Sequence, residues 1–245
     1  MKFANNDHKG RQVRDASGNL SNLVPFSPRS ISDEKLVEVA QDISVLFAKA
    51  FHNTEGASTE WTPQKVLARI REISFGMLVE QEGTSKKVGY AIFETPTCEL
   101  GNILFINSIG FAQQGSGLGQ VVIKEALAMA GSKIIAGRTQ NPNLIKMLRR
   151  LNPTSILPID EDYDASNSNK IILSALRDKT DELKNATIDT KSGVCKKVYR
   201  RGRLGNYPVN REDPEIAKIQ ERFEQIGMNQ DEGDALIVAA KLAFI

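Results

Sequence analysis

The stretch from Asn107 to Gln120 restricts what this chain can fold into more than any other, because three glycines in it fall where a strand hands over to a helix. Before it, Ile103 to Ile106 is an apolar run of the kind that makes a buried strand. After it, Leu118, Val121, Val122, Ala126 and Met129 recur at helical spacing, and Gly131 supplies a stop. Gly115, Gly117 and Gly119 therefore occupy the turn itself. With no Cβ in the way, backbone there can come close to a ligand, while the helix's first amides point outward unpaired. Such a turn attracts anions, phosphate above all.

The rest of the sequence bounds the setting. At 245 residues the chain can bury a substantial core, as one large domain or two small ones. No apolar run approaches the length needed to cross a bilayer, and the polar start lacks a signal-peptide core, so a cytoplasmic location is expected. Cys98 and Cys195 have no metal-type spacing and need not pair, and His8 and His52 belong to no triad or ligand cluster. A zinc enzyme or a Ser-His-Asp hydrolase is therefore not expected, and no metal is assigned.

Residues 1–30, rich in polar and small residues, read as an irregular arm that packs on the core or stays loose. Ser30-Ile31-Ser32-Asp33 has the form of a capping box opening a helix, with Leu36, Val39, Ala40, Ile43, Phe47, Ala50 and Phe51 along one face. Thr62-Pro63 opens a second helix with Val66, Ile70 and Ile73 inward. Phe75 to Gln81 and Val88 to Glu94 form a hairpin, and the next strand leads to the glycines. Lys133 to Gly137 reads as a strand, with a helix after Asn141-Pro142. Residues 152–206 are hard to assign beyond a short strand near Ser155 to Ile159 and a helix carrying Ile171, Ile172, Ala175, Leu176 and Leu183. Asp213-Pro214 opens a last helix, and Asp234 to Ile245 reads as a strand buried on both faces, which argues for one domain over 31–245.

Gln114-Gly115-Ser116-Gly117-Leu118-Gly119 fits the pattern [Gln/Arg]-x-x-Gly-x-[Gly/Ala] and resembles the acetyl-CoA loop of the GNAT superfamily of acetyltransferases. The strand before Arg138-Thr139-Gln140-Asn141-Pro142 resembles that family's fifth strand, which is often followed by an Asn touching the pantetheine arm. The resemblance implies an α/β (α+β) single-domain GNAT-like fold, with a central mixed, mostly antiparallel, splayed sheet flanked by helices. It implies an N-acetyltransferase that takes acetyl-CoA as its co-substrate. By the same resemblance the backbone N–H groups of Ile109 and Phe111 pair with the pantetheine, and Ile109 polarises the thioester carbonyl. Gln114, Gly115, Ser116, Gly117, Leu118, Gly119 and Gln120 hold the pyrophosphate, and Asn141 contacts the pantetheine or the amine. Capping the following helix is a compatible role for Asn141.

The proton donor and acceptor stay unassigned. Family members commonly carry a Tyr about seven residues beyond the Asn, and here that position is Leu148, while Ala136 and Gly137 stand where some relatives keep a base. Glu94 and Glu99 are candidates acting through water, with a solvated loop carboxylate as the plainer reading of each. Tyr199 and Tyr207 are candidate acids only if the C-terminal segment folds back. The basic run of Lys196, Lys197, Arg200, Arg201 and Arg203 fits the 3′-phosphate of the cofactor, an acidic substrate, nucleic acid, or a charged strand edge. The alternatives to an acyltransferase are a non-catalytic CoA- or nucleotide-binding module, a nucleic-acid-binding protein using that run, and, more remotely, a nucleotide-binding reductase with Arg138 on a 2′-phosphate. The acceptor is an amine of a small molecule or a protein, and no membrane partner is expected.

Overall fold

Ten strands and six α-helices follow one another through the residues that the computed structural model describes, namely 10–51, 61–113, 115–180, 183–184, 186–199, 210 and 212–243. They divide between two compact units, residues 1–94 with 107–126 and residues 95–106 with 127–245.

The first unit begins with strands where the composition suggests an irregular arm. Strand β1 (Arg11–Arg14) pairs antiparallel with β2 (Leu20–Phe26), and β2 pairs antiparallel with β3 (Phe75–Gln81). The polar character of β1 is that of a sheet margin: it has β2 as its one neighbour in the ladder order, and its arginines face solvent. Pro25 is accommodated because β1 reaches only as far as Leu23, so the missing N–H falls where β2 is paired on one side. Helix α1 (Asp33–Ala50) buries Leu36, Val39, Ala40, Ile43, Leu46, Phe47 and Ala50. Its cap is Ser32, whose side chain accepts from the Lys35 amide, and not Ser30, whose own N–H is used in a turn to Ser27. Helix α2 (Pro63–Glu72) is capped by Thr62 with Pro63 at its first position, as its sequence dictates. Strands β3 and β4 (Lys87–Glu94) make the expected antiparallel hairpin, and the ladder continues from β4 to the later half of β6 (Gly101–Phe111). The first turns of helix α3 (Leu118–Ala130) complete this unit.

In the second unit the earlier half of β6 pairs antiparallel with the short β5 (Thr97–Cys98) and parallel with β7 (Ile134–Thr139). That parallel ladder is short, from Ile103↔Ile134 to Ile106↔Gly137. Asn141 caps helix α4 (Pro142–Arg149), which leads to β8 (Pro153–Leu157). A 3-10 turn at Tyr163–Ala165, helix α5 (Asn167–Lys179) and β9 (Val194–Cys195) fill the stretch that sequence patterning leaves vague. Helix α6 (Pro214–Gln225), capped by Asp213, precedes β10 (Ala235–Leu242). Strand β10 lies between β7 and β8, antiparallel to both, and Ala235 to Ala240 are fully buried, as the uninterrupted apolar run predicts. One face of this sheet, through Phe105, Ala136, Ile237 and Ala239, packs on Ile172, Leu173 and Leu176 of α5. Strands β6 and β7 run parallel, whereas β1–β2, β2–β3, β3–β4, β5–β6, β7–β10, β8–β10 and β9–β10 pair antiparallel. The architecture is therefore mixed α/β with a mostly antiparallel sheet.

Candidate functional site

The glycine turn of the first unit takes the conformation its residues require. Gly115 and Gly117 have φ of +79° and +78°, in the left-handed region that side chains disfavour, and α3 starts at Leu118. Val121 and Gln120 donate back to the Gly117 carbonyl at 3.4 and 3.1 Å, which opens the helical ladder. Among the described residues, a Cβ at Gly115 would meet no atom within 4 Å, which leaves open space beside it. A Cβ at Gly117 would stand 3.3 Å from the Ala16 methyl, because the β1–β2 hairpin lies against the turn and the Ala16 N–H donates to the Ser116 carbonyl at 2.8 Å. Ser116 itself is buried, and Gly119 and Gln120 lie in the first turn of α3. Gln114 lies outside the described residues.

Ile109 and Phe111, two apart and so on the same face of β6, are half-buried. Gly89 is what makes room for the Phe111 ring, since a Cβ there would fall 2.3 Å from it. Just upstream, a polar cluster interrupts the apolar strand. Asn107 donates from Nδ2 to Glu94 Oε1 at 2.8 Å and accepts from Arg69 Nη1 at 3.4 Å, and the Arg69 guanidinium lies 4.8 Å from the Trp61 ring centre. Beside it the hydroxyls of Ser108 and Tyr90 are 2.8 Å apart. Burial pushes the Tyr90 phenol well above its usual range, against the opposing pull of the Ser108 hydrogen bond and Arg69, so it stays protonated. Glu94 is therefore not the solvated loop carboxylate its sequence position suggests. It is the buried last residue of β4, held by the neighbouring strand. Asn107 and Ser108, polar residues breaking an apolar run, are the signal that sequence reading passed over. Glu99 does stand in an exposed turn, in the second unit.

The second unit holds the remaining candidates. Asn141 is the cap of α4: its Oδ1 accepts from the Asn143 N–H at 2.9 Å, and its own N–H donates to Thr139 Oγ1 at 2.8 Å. Leu148 is fully buried in the core, and Ala136 and Gly137 lie within β7. The segment after β9 does return to the end of β7: the Tyr199 N–H donates to the Gly233 carbonyl at 3.0 Å, and the Arg138 guanidinium lies 5.4 Å from the Tyr199 ring centre. In the basic run, Lys196 serves the fold, donating to Asp234 Oδ2 at 2.7 Å and to the Gly227 carbonyl at 2.8 Å. Burial opposes the charge of Asp234, but the bonds from Lys196 and from the Asn229 and Lys197 amides hold its carboxyl below the usual range. Arg200, Arg201, Arg203, Tyr207, His8 and His52 lie outside the described residues.

The solved structures to which the chain is similar include GNAT-family acetyltransferases. A cAMP-binding acyltransferase from Mycobacterium smegmatis is 17% identical, with a TM-score of 0.36, over 61% of this chain and 45% of that one. The GNAT domain of S. lividans PAT is 14% identical, with a TM-score of 0.45, over 61% of this chain and 90% of its own. The GNAT family N-acetyltransferase YhbS from Escherichia coli, solved in complex with CoA, is 15% identical, with a TM-score of 0.35, over 58% and 69%. This chain thus spans less than half of the mycobacterial protein. No protein-family model matches the chain, and no curated protein matches it. Among the described residues, no group of three or more His, Cys, Asp or Glu is placed to hold a metal ion, and no helix is long and apolar enough to cross a membrane.

Proposed function

We propose that the chain is an acyl-CoA-dependent N-acyltransferase, with acetyl-CoA as donor and a primary amine of a small molecule or protein as acceptor. The observation that carries this reading is the turn at Gly115 to Gly117, two left-handed glycines directly before the start of α3, with open space beside the first. That arrangement suits a diphosphate, which needs close backbone approach and outward amides at the positive end of a helix dipole. The pantetheine runs from there along the later half of β6, past Phe111 to Ile109. In the reaction the amine nitrogen bonds to the thioester carbon while the C–S bond breaks. The Ile109 N–H supports the carbonyl oxygen as it gains charge, the amine gives up a proton, and the thiolate gains one.

A second reading keeps the ligand and drops the chemistry. Leu148 is buried core where an acid would be wanted, which favours a CoA-binding module without turnover. Release of free thiol from acetyl-CoA across a panel of amines separates the two. For binding, CoA at a hundredfold excess over its Kd stabilises the fold by about 2.7 kcal/mol, raising Tm by roughly 5–10 °C. NADPH is expected to do less, and a larger shift with NADPH than with CoA or acetyl-CoA refutes the reading.

A further inference from the structure

The tip of the β1–β2 hairpin is a closed turn in its own right. The Gly18 N–H donates to the Asp15 carbonyl at 3.1 Å and the Asp15 N–H to the Asn19 carbonyl at 3.0 Å. The Asp15 carboxylate accepts from the Ser17 and Asn19 amides, each at 2.9 Å. Only one amide of this tip turns outward to the glycine loop, that of Ala16, which reaches the Ser116 carbonyl at 2.8 Å. In a trans peptide the carbonyl and the next N–H point in opposite directions. With the Ser116 carbonyl drawn toward the hairpin, the Gly117 N–H points away from it. A glycine at 117 accepts either sign of φ, so little in the loop's own sequence opposes a flip of that peptide. The bond from Ala16 opposes it. A second tie, Arg11 to Glu125 of α3 at 2.5 Å, fastens β1 to the same helix but is largely exposed and adds little.

We propose that Ala16 is a positioning residue for the diphosphate site: its backbone N–H holds the Ser116–Gly117 peptide in the orientation that presents the Gly117 amide to the ligand. This inference rests on the acyl-CoA reading above. It gives the N-terminal hairpin a role in donor affinity and none in the bond-making step.

Proline at position 16 removes the donor without undoing the turn, because 16 is the second residue of the turn, where proline is favoured. Isothermal titration with CoA compares the parent, Ala16→Pro and Ala16→Gly, the last retaining the N–H. The parent and Ala16→Gly bind alike, while Ala16→Pro binds about five- to tenfold more weakly, the scale of one hydrogen bond. In turnover, Ala16→Pro raises KM for the acyl donor with kcat unchanged. The ligand-free Tm of Ala16→Pro stays within about 2 °C of the parent. Parent-like CoA affinity in Ala16→Pro overturns the proposal, and so does equal weakening in Ala16→Gly. A fall in the ligand-free Tm beyond about 5 °C also overturns it, by making the contact one of general stability. A parent that does not bind CoA at all overturns the acyl-CoA reading itself, and this inference with it.

Discussion

Gly115→Ala tests the ligand site with a control that the fold itself supplies. Gly83, in the β3–β4 turn, has φ of +75° against +79° at Gly115, and among the described residues an added Cβ meets no atom within 4 Å at either position. Both substitutions therefore carry the same folding cost, that of alanine in the left-handed region, about 1–2 kcal/mol. Each lowers Tm by roughly 2–8 °C, and the two agree closely. They part company on CoA. At 115 the methyl enters the open space assigned to the diphosphate and holds phosphate oxygens off the loop amides. Losing one hydrogen bond to a charged group is worth about 1.5–3 kcal/mol, so CoA binds roughly 10- to 150-fold more weakly. Gly83→Ala binds CoA as the parent does. Gly117 is the poorer probe, because its added Cβ meets Ala16 before it meets any ligand. Calorimetric titration with CoA on folded variants, with Tm measured alongside, decides the matter. Equal and parent-like affinity in both variants means that nothing binds beside Gly115, and the site assignment fails.

Asp234→Ala leaves the Asn229 and Lys197 amides without their buried acceptor, while the half-exposed Lys196 turns to water; a loss of about 2–5 kcal/mol is expected in urea unfolding, and less than 1 contradicts the reading. Because the folded-state pKa of Asp234 lies below the ordinary value of about 3.9, its contribution is fully present above that pH and fades as pH falls through the folded value. The gap between parent and Asp234→Ala should therefore close in acid below about pH 4, and a gap that widens there is the wrong sign. Tyr199→Phe keeps the ring beside Arg138 and should keep most of the turnover; a drop of about a hundredfold with unchanged CoA affinity makes Tyr199 the general acid after all.

Elements announced by periodicity and caps were legible in the sequence: α2 from Thr62-Pro63, α6 from Asp213-Pro214, and the buried β10 from its apolar run. The glycine turn was legible as a conformation, since Gly115 and Gly117 between a strand and a helix leave few alternatives, whereas Gly119, read as part of the turn, lies inside the helix. What covers it was not. Strand β1 is a sheet margin, and an edge strand of Arg, Gln, Val and Arg has the composition of a loose tail, while β2 is a short apolar stretch broken by Ser21, Asn22 and Pro25. The pairing of β2 with β3 is long-range, from Phe26↔Gly76 to Ser21↔Gln81, and no local pattern encodes it. The same limit hid Glu94: whether a carboxylate at a strand end is solvated depends on the Asn107 side chain across the ladder. Ser30 and Ser32 both precede an acidic helix start, and only the turn from Ser27 to Ser30 decides which one caps.

The position of β10 between β7 and β8 bears on how the chain reaches its fold. Ala136 meets Ala239, and Leu157 meets that same residue from the other side, so the central strand of this sheet arrives about 80–100 residues after the two it joins. Until it does, β7 and β8 each present an unpaired, largely apolar backbone edge, and closing so long a loop is slow. Assembly of this half of the molecule is thus set to wait on its latest-arriving strand. Weakening β10 exposes two sticky margins at once, so misassembly by edge-to-edge pairing, more than simple unfolding, is the failure to which this topology is prone.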